Sequence, residues 1–266
     1  MTKKILITGA TDGIGLETAK RLYSEGHTLL LHGRNAEKLA TTEKVLADSK
    51  GMGQIHSYRA DLSRRADVVS LTDAITKEHD QLDVIINNAG VMRVPDTVTP
   101  DGLDTRFAVN TVAPYLLTKR LLPLMKPTSR VVNLSSAAQA PVEIDALQGK
   151  KRLLDDMSAY AQSKLALTMW NNALAASLGS QGPVFVAVNP GSLLASKMVK
   201  EGFGITGKSL SIGVDAITRA ALSDEFADAS GRYFDNDKGQ FGPPHPDALN
   251  DQKCAAVLSV IEALIK

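Results

Sequence analysis

Seven short apolar runs, most of them separated by stretches long enough for a helix, constrain this chain more than any other feature. The runs lie at Ile5 to Thr8, Thr28 to His32, Ile55 to Arg59, Val84 to Asn87, Arg130 to Leu134, Val184 to Asn189 and Arg232 to Phe234. Segments of helix length fall between them at Glu37 to Ser49, Ala66 to Glu78, Leu103 to Leu124 and Tyr160 to Leu178. Alternation of this kind implies α/β architecture, a parallel sheet with helices on both faces. Right-handed crossovers make it a doubly wound sheet whose ligands sit beyond the strand C-terminal ends. A chain of 266 residues, 44% hydrophobic, can bury such a core. With no Pro/Ser-rich linker, charge block or internal repeat, residues 1–266 are expected to form one domain.

The motifs of the chain fall at those strand ends. The first run passes through Thr8-Gly9-Ala10-Thr11-Asp12-Gly13-Ile14-Gly15 into LETAKRLYSEG, where Leu16, Ala19 and Leu22 give one helical face. Glycine at such a turn takes positive φ and has no side chain to hold a pyrophosphate away from the backbone N–H groups. The helix N-terminus adds the positive end of a dipole. The spacing is G-x-x-x-G-x-G, not G-x-G-x-x-G, and three glycines alone also fit a plain strand-to-helix turn.

The second run ends in Gly33-Arg34-Asn35, and Gly33 lies 18 positions beyond Gly15. In dinucleotide folds an acid near this point binds the ribose 2′-hydroxyl, whereas arginine accommodates a 2′-phosphate. No Asp or Glu lies between Gly26 and Ala36, so Arg34, whose guanidinium offers a bidentate fork to phosphate, points to NADP(H). A solvated arginine at a strand end is the bland alternative. Asp61-Leu62, after the third run, offers a carboxylate for an adenine amino group or an ordinary turn aspartate. Asn87-Asn88-Ala89-Gly90 closes the fourth run, with amides for neighbouring backbone groups and a glycine for close approach. Asn189-Pro190-Gly191 turns the sixth run towards Leu193 to Ser196, which is expected to pass over a nicotinamide.

Y-x-x-x-K occurs twice, at Tyr115/Lys119 and Tyr160/Lys164. Both pairs share one helix face, so the spacing does not choose between them. Context does, because Tyr160 follows a strand ending Asn133-Leu134-Ser135-Ser136, while no hydroxyl at a strand terminus precedes Tyr115. A free phenol has a pKa of about 10, so proton transfer near neutral pH asks for a lowering worth roughly 4 kcal/mol. An ammonium about 5 Å away at an effective dielectric near 20 supplies on the order of 3 kcal/mol. Ser136 is then placed to hydrogen-bond a substrate oxygen that gains charge during hydride transfer. Asn110, in the helix after the fourth run, either holds a water linking Lys164 to solvent or caps or kinks that helix.

With 30 basic and 29 acidic residues spread along the chain, the net charge of +1 argues against nucleic-acid or acidic-membrane partners. The single cysteine, Cys254, has no internal disulfide partner, and no metal is assigned to the site. No apolar stretch reaches the roughly 18 residues of a membrane span, and the first run begins close to Met1, so a cytoplasmic location is expected.

The chain resembles a short-chain dehydrogenase/reductase through Thr8 to Gly15, Asn87-Asn88-Ala89-Gly90, Asn110, Ser136, Tyr160, Lys164 and Pro190-Gly191, which follow the family order over most of its length. The resemblance implies a Rossmann-type fold of seven parallel strands, catalysis by Asn110, Ser136, Tyr160 and Lys164, and a homodimer or homotetramer. It selects Ser136 over Ser135 and matches Arg34 to an NADP(H)-preferring pattern. Cofactor binding is then expected from Gly9, Thr11, Asp12, Gly13, Ile14, Gly15, Arg34, Asp61, Leu62, Asn88, Ala89, Gly90, Tyr160, Lys164, Pro190 and Gly191. Two departures stand out. Ser136 and Tyr160 are 24 positions apart, nearly twice the common spacing, because Pro141 to Met157 is inserted. A similar insertion, and a tail like Gly231-Arg232-Tyr233-Phe234, occur in the retinol-dehydrogenase-like branch. The threonine that follows Pro-Gly in the family and contacts the nicotinamide amide has no clear match, and Ser196 is the nearest hydroxyl.

The leading expectation is therefore an NADPH-dependent oxidoreductase that moves a hydride between nicotinamide and a small carbonyl or alcohol substrate. A non-catalytic NADP(H)-sensing protein would not need all four catalytic residues, and an NAD-dependent epimerase of related fold would not favour Arg34. Two structural expectations accompany it. The insertion should wall the substrate pocket with Val142, Ile144, Leu147, Leu153 and Leu154. Surplus apolar residues of the helices after strands four and five, among them Tyr115, Leu117, Leu165, Met169 and Trp170, should pair across a two-fold axis.

Overall fold

The central strands are apolar on both faces, as strands covered by helices on each side must be. Ile5, Leu6, Ile7, Leu29, Leu30, Leu31, Ile85, Ile86, Val131 and Val132 are all fully buried. In the computed structural model, which describes residues 2–49 and 51–266, they belong to one sheet. The chain runs β1 (Lys4–Ile7), α1 (Gly13–Ser24), β2 (Thr28–Gly33), α2 (Ala36–Ala47), β3 (Ile55–Arg59), α3 (Arg65–Glu78) and β4 (Leu82–Asn87). It continues through α4 (Thr105–Phe107), a π-turn at Ala108–Val112, α5 (Ala113–Leu121), β5 (Met125–Leu134), α6 (Ile144–Leu147) and α7 (Asp156–Leu178). The last part comprises β6 (Val184–Asn189), α8 (Lys197–Phe203), α9 (Leu210–Leu222), β7 (Arg232–Asp235), β8 (Gln240–Gly242) and α10 (Asp251–Leu264).

The strand order is β3-β2-β1-β4-β5-β6-β7-β8. Order reverses between β1 and β4, so a crevice opens beyond their C-terminal ends, where open α/β sheets bind ligands. The doubly wound expectation holds, but the described residues form eight strands rather than seven. The eighth is a three-residue antiparallel partner of β7, with Phe241 opposite Phe234. Its brevity hides it from periodicity. Among the described residues no helix is long and apolar enough to cross a membrane.

The proposed pairing face on α5 and α7 is not free. Tyr115, Leu117, Leu165, Met169 and Trp170 are at most 2% exposed within this one chain. The C-terminal helix α10 packs on α7, placing Cys254, Val257 and Ile261 in one core with Tyr115, Leu165, Met169 and Trp170, while Leu117 packs with Val68, Leu71 and Ile75 of α3. Tyr115 Oη donates to Glu262 at 2.8 Å, and Lys119 reaches the same carboxylate at 2.7 Å. The apolar surplus is real, but α10 and α3 bury it within the chain.

The insertion also departs from expectation. Val142, Ile144, Leu147 and Leu153 pack into that same core, and Leu154 points into solvent at 95% exposure. Fully buried Arg106 holds the end of the insertion, donating to Asp104 and Asp156, both at 2.8 Å. The α6 segment therefore braces α7 and α10, and of the insertion it is Met157, at its end, that lines the cleft.

Candidate active site

The cleft beyond the strand ends is about 1200 Å³, large enough for a dinucleotide and a small substrate. Every residue nominated for cofactor or catalysis lines it except Gly15 and Asn110, which stand immediately behind its wall. Gly9 and Gly13 adopt φ of +66° and +53°, conformations that side chains disfavour. A Cβ on Gly15 would overlap the Gly9 carbonyl and the Asn88 amide, so that position excludes any larger residue. Asn88 fixes the turn from the neighbouring strand end, donating through Nδ2 to the Thr8 and Gly9 carbonyls at 2.8 and 3.1 Å. Thr8 Oγ1 accepts the N–H groups of Asn88 and Ala89, both at 3.0 Å. Asn87 turns inward and bonds the Asn133 and Thr118 side chains, not the backbone.

Asp12 caps α1 by accepting from the Gly13 N–H, and Lys38 pairs with it at 2.8 Å. The hydrogen bond from Lys38 holds the Asp12 carboxyl below its ordinary pKa. Its carboxylate is thus a helix cap balanced by a lysine beside the phosphate cradle. Asp61 accepts from the Ser63 N–H and hydroxyl at 3.0 and 2.8 Å, a turn role, while facing the cleft with Leu62. Arg34 is exposed on the cleft wall at the end of β2. Sequence reading passed over His32, which is buried in the same strand. Its Nδ1 accepts the Gly9 N–H at 3.2 Å and its Nε2 faces the Ala60 carbonyl at 3.1 Å. Burial lowers its pKa to about 4, keeping it a neutral brace between three strand ends.

Opposite the cradle, α7 carries Tyr160 and Lys164 one turn apart. Asp155 caps the helix through the Ser158 N–H at 2.6 Å, so it begins four residues before Tyr160. Lys164 Nζ lies 5.6 Å from the Tyr160 ring centroid and donates to the Leu134 carbonyl at 2.7 Å. Burial lowers the Lys164 pKa to about 8. Burial raises the Tyr160 phenol, while a hydrogen bond with Ser136 pulls it down. Ser135 is the inward member of its pair, bonded to Thr168 Oγ1 at 2.7 Å, and Ser136 is the one beside Tyr160. Tyr233 supports Ser136 from β7 by donating to its carbonyl at 3.0 Å. Tyr115 and Lys119 do not line the cleft.

Asn110 sits in the π-turn, a distortion frequently found at functional sites. Its side chain is held by three protein hydrogen bonds. Oδ1 accepts the Val91 N–H at 2.8 Å, and Nδ2 donates to the Val91 carbonyl and to Ser163 Oγ, both at 2.9 Å. Four residues on, Pro114 has no N–H to offer the Asn110 carbonyl.

The remaining walls come from Val91 to Val98 and from Leu193 to Glu201, bridged where Arg93 donates to the Glu201 carbonyl at 2.9 Å. Ser196 faces the cleft but also caps α8 through the Val199 N–H at 3.3 Å. The turn joining β7 and β8 anchors the loop that starts at Pro190. Asp237 accepts from Asn189 Nδ2 at 2.9 Å and from the Ser192 N–H at 2.9 Å, and Asn236 donates to the Pro190 carbonyl at 2.9 Å. Leu193 in this loop has φ of +56°. These anchors join segments about 45 residues apart, and no local pattern announces them.

A dinucleotide-sized cleft at the switch point, with a glycine cradle on one wall and a Ser-Tyr-Lys cluster on the other, defines a nicotinamide-dependent oxidoreductase. A sequence model described as short chain dehydrogenase matches residues 3–203. Human retinol dehydrogenase 13 is similar, 31% identical over 94% of this chain and 80% of its own length. An uncharacterized protein from Mycobacterium paratuberculosis shares the fold over 99% of this chain and 93% of its own, with a TM-score of 0.81 and 25% identity. The angucycline C-6 ketoreductase LanV with bound NADP matches 88% of this chain and 93% of its own, with a TM-score of 0.67 and 26% identity. The chain belongs to the short-chain dehydrogenase family, in its retinol-dehydrogenase-like branch.

Proposed function

We propose that this protein is an NADP(H)-dependent carbonyl reductase or alcohol dehydrogenase acting on a small or medium apolar substrate. The observation that carries this reading is the meeting of Ser136, Tyr160 and Lys164 across one cleft from the Gly9 to Gly15 turn and Arg34. The N–H groups at the start of α1 bind the pyrophosphate. Arg34 takes the 2′-phosphate, and Asp61 and Leu62 border the adenine. The bound nicotinamide supplies or accepts the hydride.

Ser136 orients the substrate oxygen, and the Tyr160 hydroxyl gives its proton to that oxygen as charge develops there. Lys164, held by the Leu134 carbonyl, lowers the cost of leaving Tyr160 as phenolate. Asn110 keeps the Val91 segment and α7 in register through Val91 and Ser163, so it is a positioning residue. Walls supplied by Val91, Met92, Val94, Met157, Leu193 and Met198 favour an apolar substrate. With the α5/α7 face covered, a homodimer or homotetramer would need a different surface.

A panel of aldehydes and ketones incubated with the protein and NADPH, followed by absorbance of the reduced cofactor, tests the reading. Substrate-dependent oxidation of NADPH in stoichiometric yield is expected. Binding of NADPH with no turnover on any carbonyl class would instead favour a sensing role.

A further inference from the structure

A second cluster lies at the opposite edge of the sheet. His56 is the second residue of β3, and Glu78 and His79 follow one another at the C-terminal end of α3. Because α3 runs back along the sheet, its last residues stand at the strands' N-terminal ends, far from the cleft. One potential ligand atom from each of the three side chains lies within 4.8 Å of the others. The two imidazole rings meet edge to face with centroids 4.7 Å apart. Two imidazoles sharing one tetrahedral ion at Zn–N distances near 2.0–2.1 Å would have centroids roughly 5 Å apart. Tyr58, on the same face of β3 as His56, ties the other two together: its hydroxyl lies 2.6 Å from Glu78 Oε2 and 2.8 Å from His79 Nε2. Tyr58 and His79 are 7% exposed, so the site is walled on its inner side, while Glu78 opens to solvent.

We propose that His56, Glu78 and His79 bind a divalent transition-metal ion, of which Zn²⁺ is the best match, at a peripheral site separate from catalysis. Two imidazoles and one carboxylate form a borderline ligand set that suits Zn²⁺, Cu²⁺ or Ni²⁺ and disfavours Mg²⁺ and Ca²⁺. Three protein ligands leave a fourth position for water. Closing the ligand atoms onto one ion takes side-chain movements of about 1 Å, which exposed Glu78 and half-buried His56 can make. Bound there, the ion joins the edge strand β3 to the end of α3, two elements otherwise linked by van der Waals packing and the Tyr58 hydrogen bonds.

The test uses the full chain, freed of metal with a chelator and titrated with Zn²⁺ by calorimetry. One ion per chain is expected, with no uptake of Mg²⁺. His56→Ala, at a half-buried edge position, should weaken Zn²⁺ binding at least tenfold, and Glu78→Gln should weaken it measurably. Zn²⁺ should raise the melting temperature of the wild type and leave that of His56→Ala unchanged, with NADPH turnover the same in both proteins. Zn²⁺ affinity that is equal in wild type and His56→Ala, or no Zn²⁺ uptake by the wild type, overturns the proposal.

Discussion

Asn110 grips Val91 at both ends, accepting its N–H at 2.8 Å and donating to its carbonyl at 2.9 Å. The same amide reaches Ser163, so one buried side chain sets the distance between the Val91 segment and the helix bearing Tyr160 and Lys164. Removing it leaves two part-buried backbone groups of Val91 without their side-chain partner, at about 1–2 kcal/mol each. Asn110→Ala is expected to lower stability by about 2–4 kcal/mol and to reduce turnover more than NADPH affinity. Thermal unfolding combined with steady-state kinetics and cofactor titration checks both; unchanged turnover with lowered stability would restrict Asn110 to a structural role.

The two Tyr-x-x-x-Lys pairs now stand on different surfaces, and their phenylalanine variants should separate accordingly. Tyr160→Phe removes the hydroxyl beside Ser136 and is expected to lower turnover by roughly 10²- to 10⁴-fold, the range for a lost general acid, with NADPH binding kept. Tyr115→Phe loses only its bond to Glu262, with an expected cost of about 1 kcal/mol in stability and little change in turnover. The reverse pattern in turnover would displace Tyr160 from the mechanism.

Burial sets the Lys164 pKa at about 8, well below its ordinary value of 10.5. Between those values the native state binds fewer protons than the unfolded chain, so stability rises with pH across that window and the buried ammonium weighs against folding below it. At pH 7 that penalty is on the order of 3 kcal/mol. Lys164→Met is therefore expected to melt higher than wild type at pH 7 while losing activity, with the stability difference shrinking as pH rises from about 8 to 10.5. For the wild type, kcat/KM for carbonyl reduction should fall as pH rises through about 8, where the ammonium beside Tyr160 is lost. A Lys164→Met protein less stable than wild type at pH 7 contradicts the burial argument.

The proposed preference for NADP(H) assigns the 2′-phosphate to Arg34, and substitution there tests it. An aspartate in place of Gly33 would bring its Cβ to 2.6 Å from Thr11 Cγ2, so the Thr11 side chain beside the cradle would have to move. Arg34→Leu alone changes the charge without that clash. It should reduce kcat/KM with NADPH by roughly 10- to 100-fold, the value of one lost charge-assisted contact of about 1.5–3 kcal/mol. Efficiency with NADH should change little. Equal losses with both cofactors would place Arg34 outside the phosphate site.

Local sequence pattern carries the parallel α/β layering, the glycine turn, the strand ends that bear Asn88, Ser136 and Pro190, and the choice of Tyr160 over Tyr115. Each of these is encoded locally, in strand period, in glycine's conformational freedom or in residues a few positions apart. Tertiary structure decided where surfaces meet. The apolar faces of α5 and α7 could be read in the sequence, but not that α10 and α3 cover them, since exposed and buried apolar faces have the same period. The insertion shows its apolar residues but not which neighbour they choose: Val142, Ile144, Leu147 and Leu153 join the core of α7 and α10, and Met157 lines the cleft. Asn110 was found by its position. Its task of holding Val91 depends on a π-turn and on a backbone segment 19 residues away, a relation that exists only once the chain is folded.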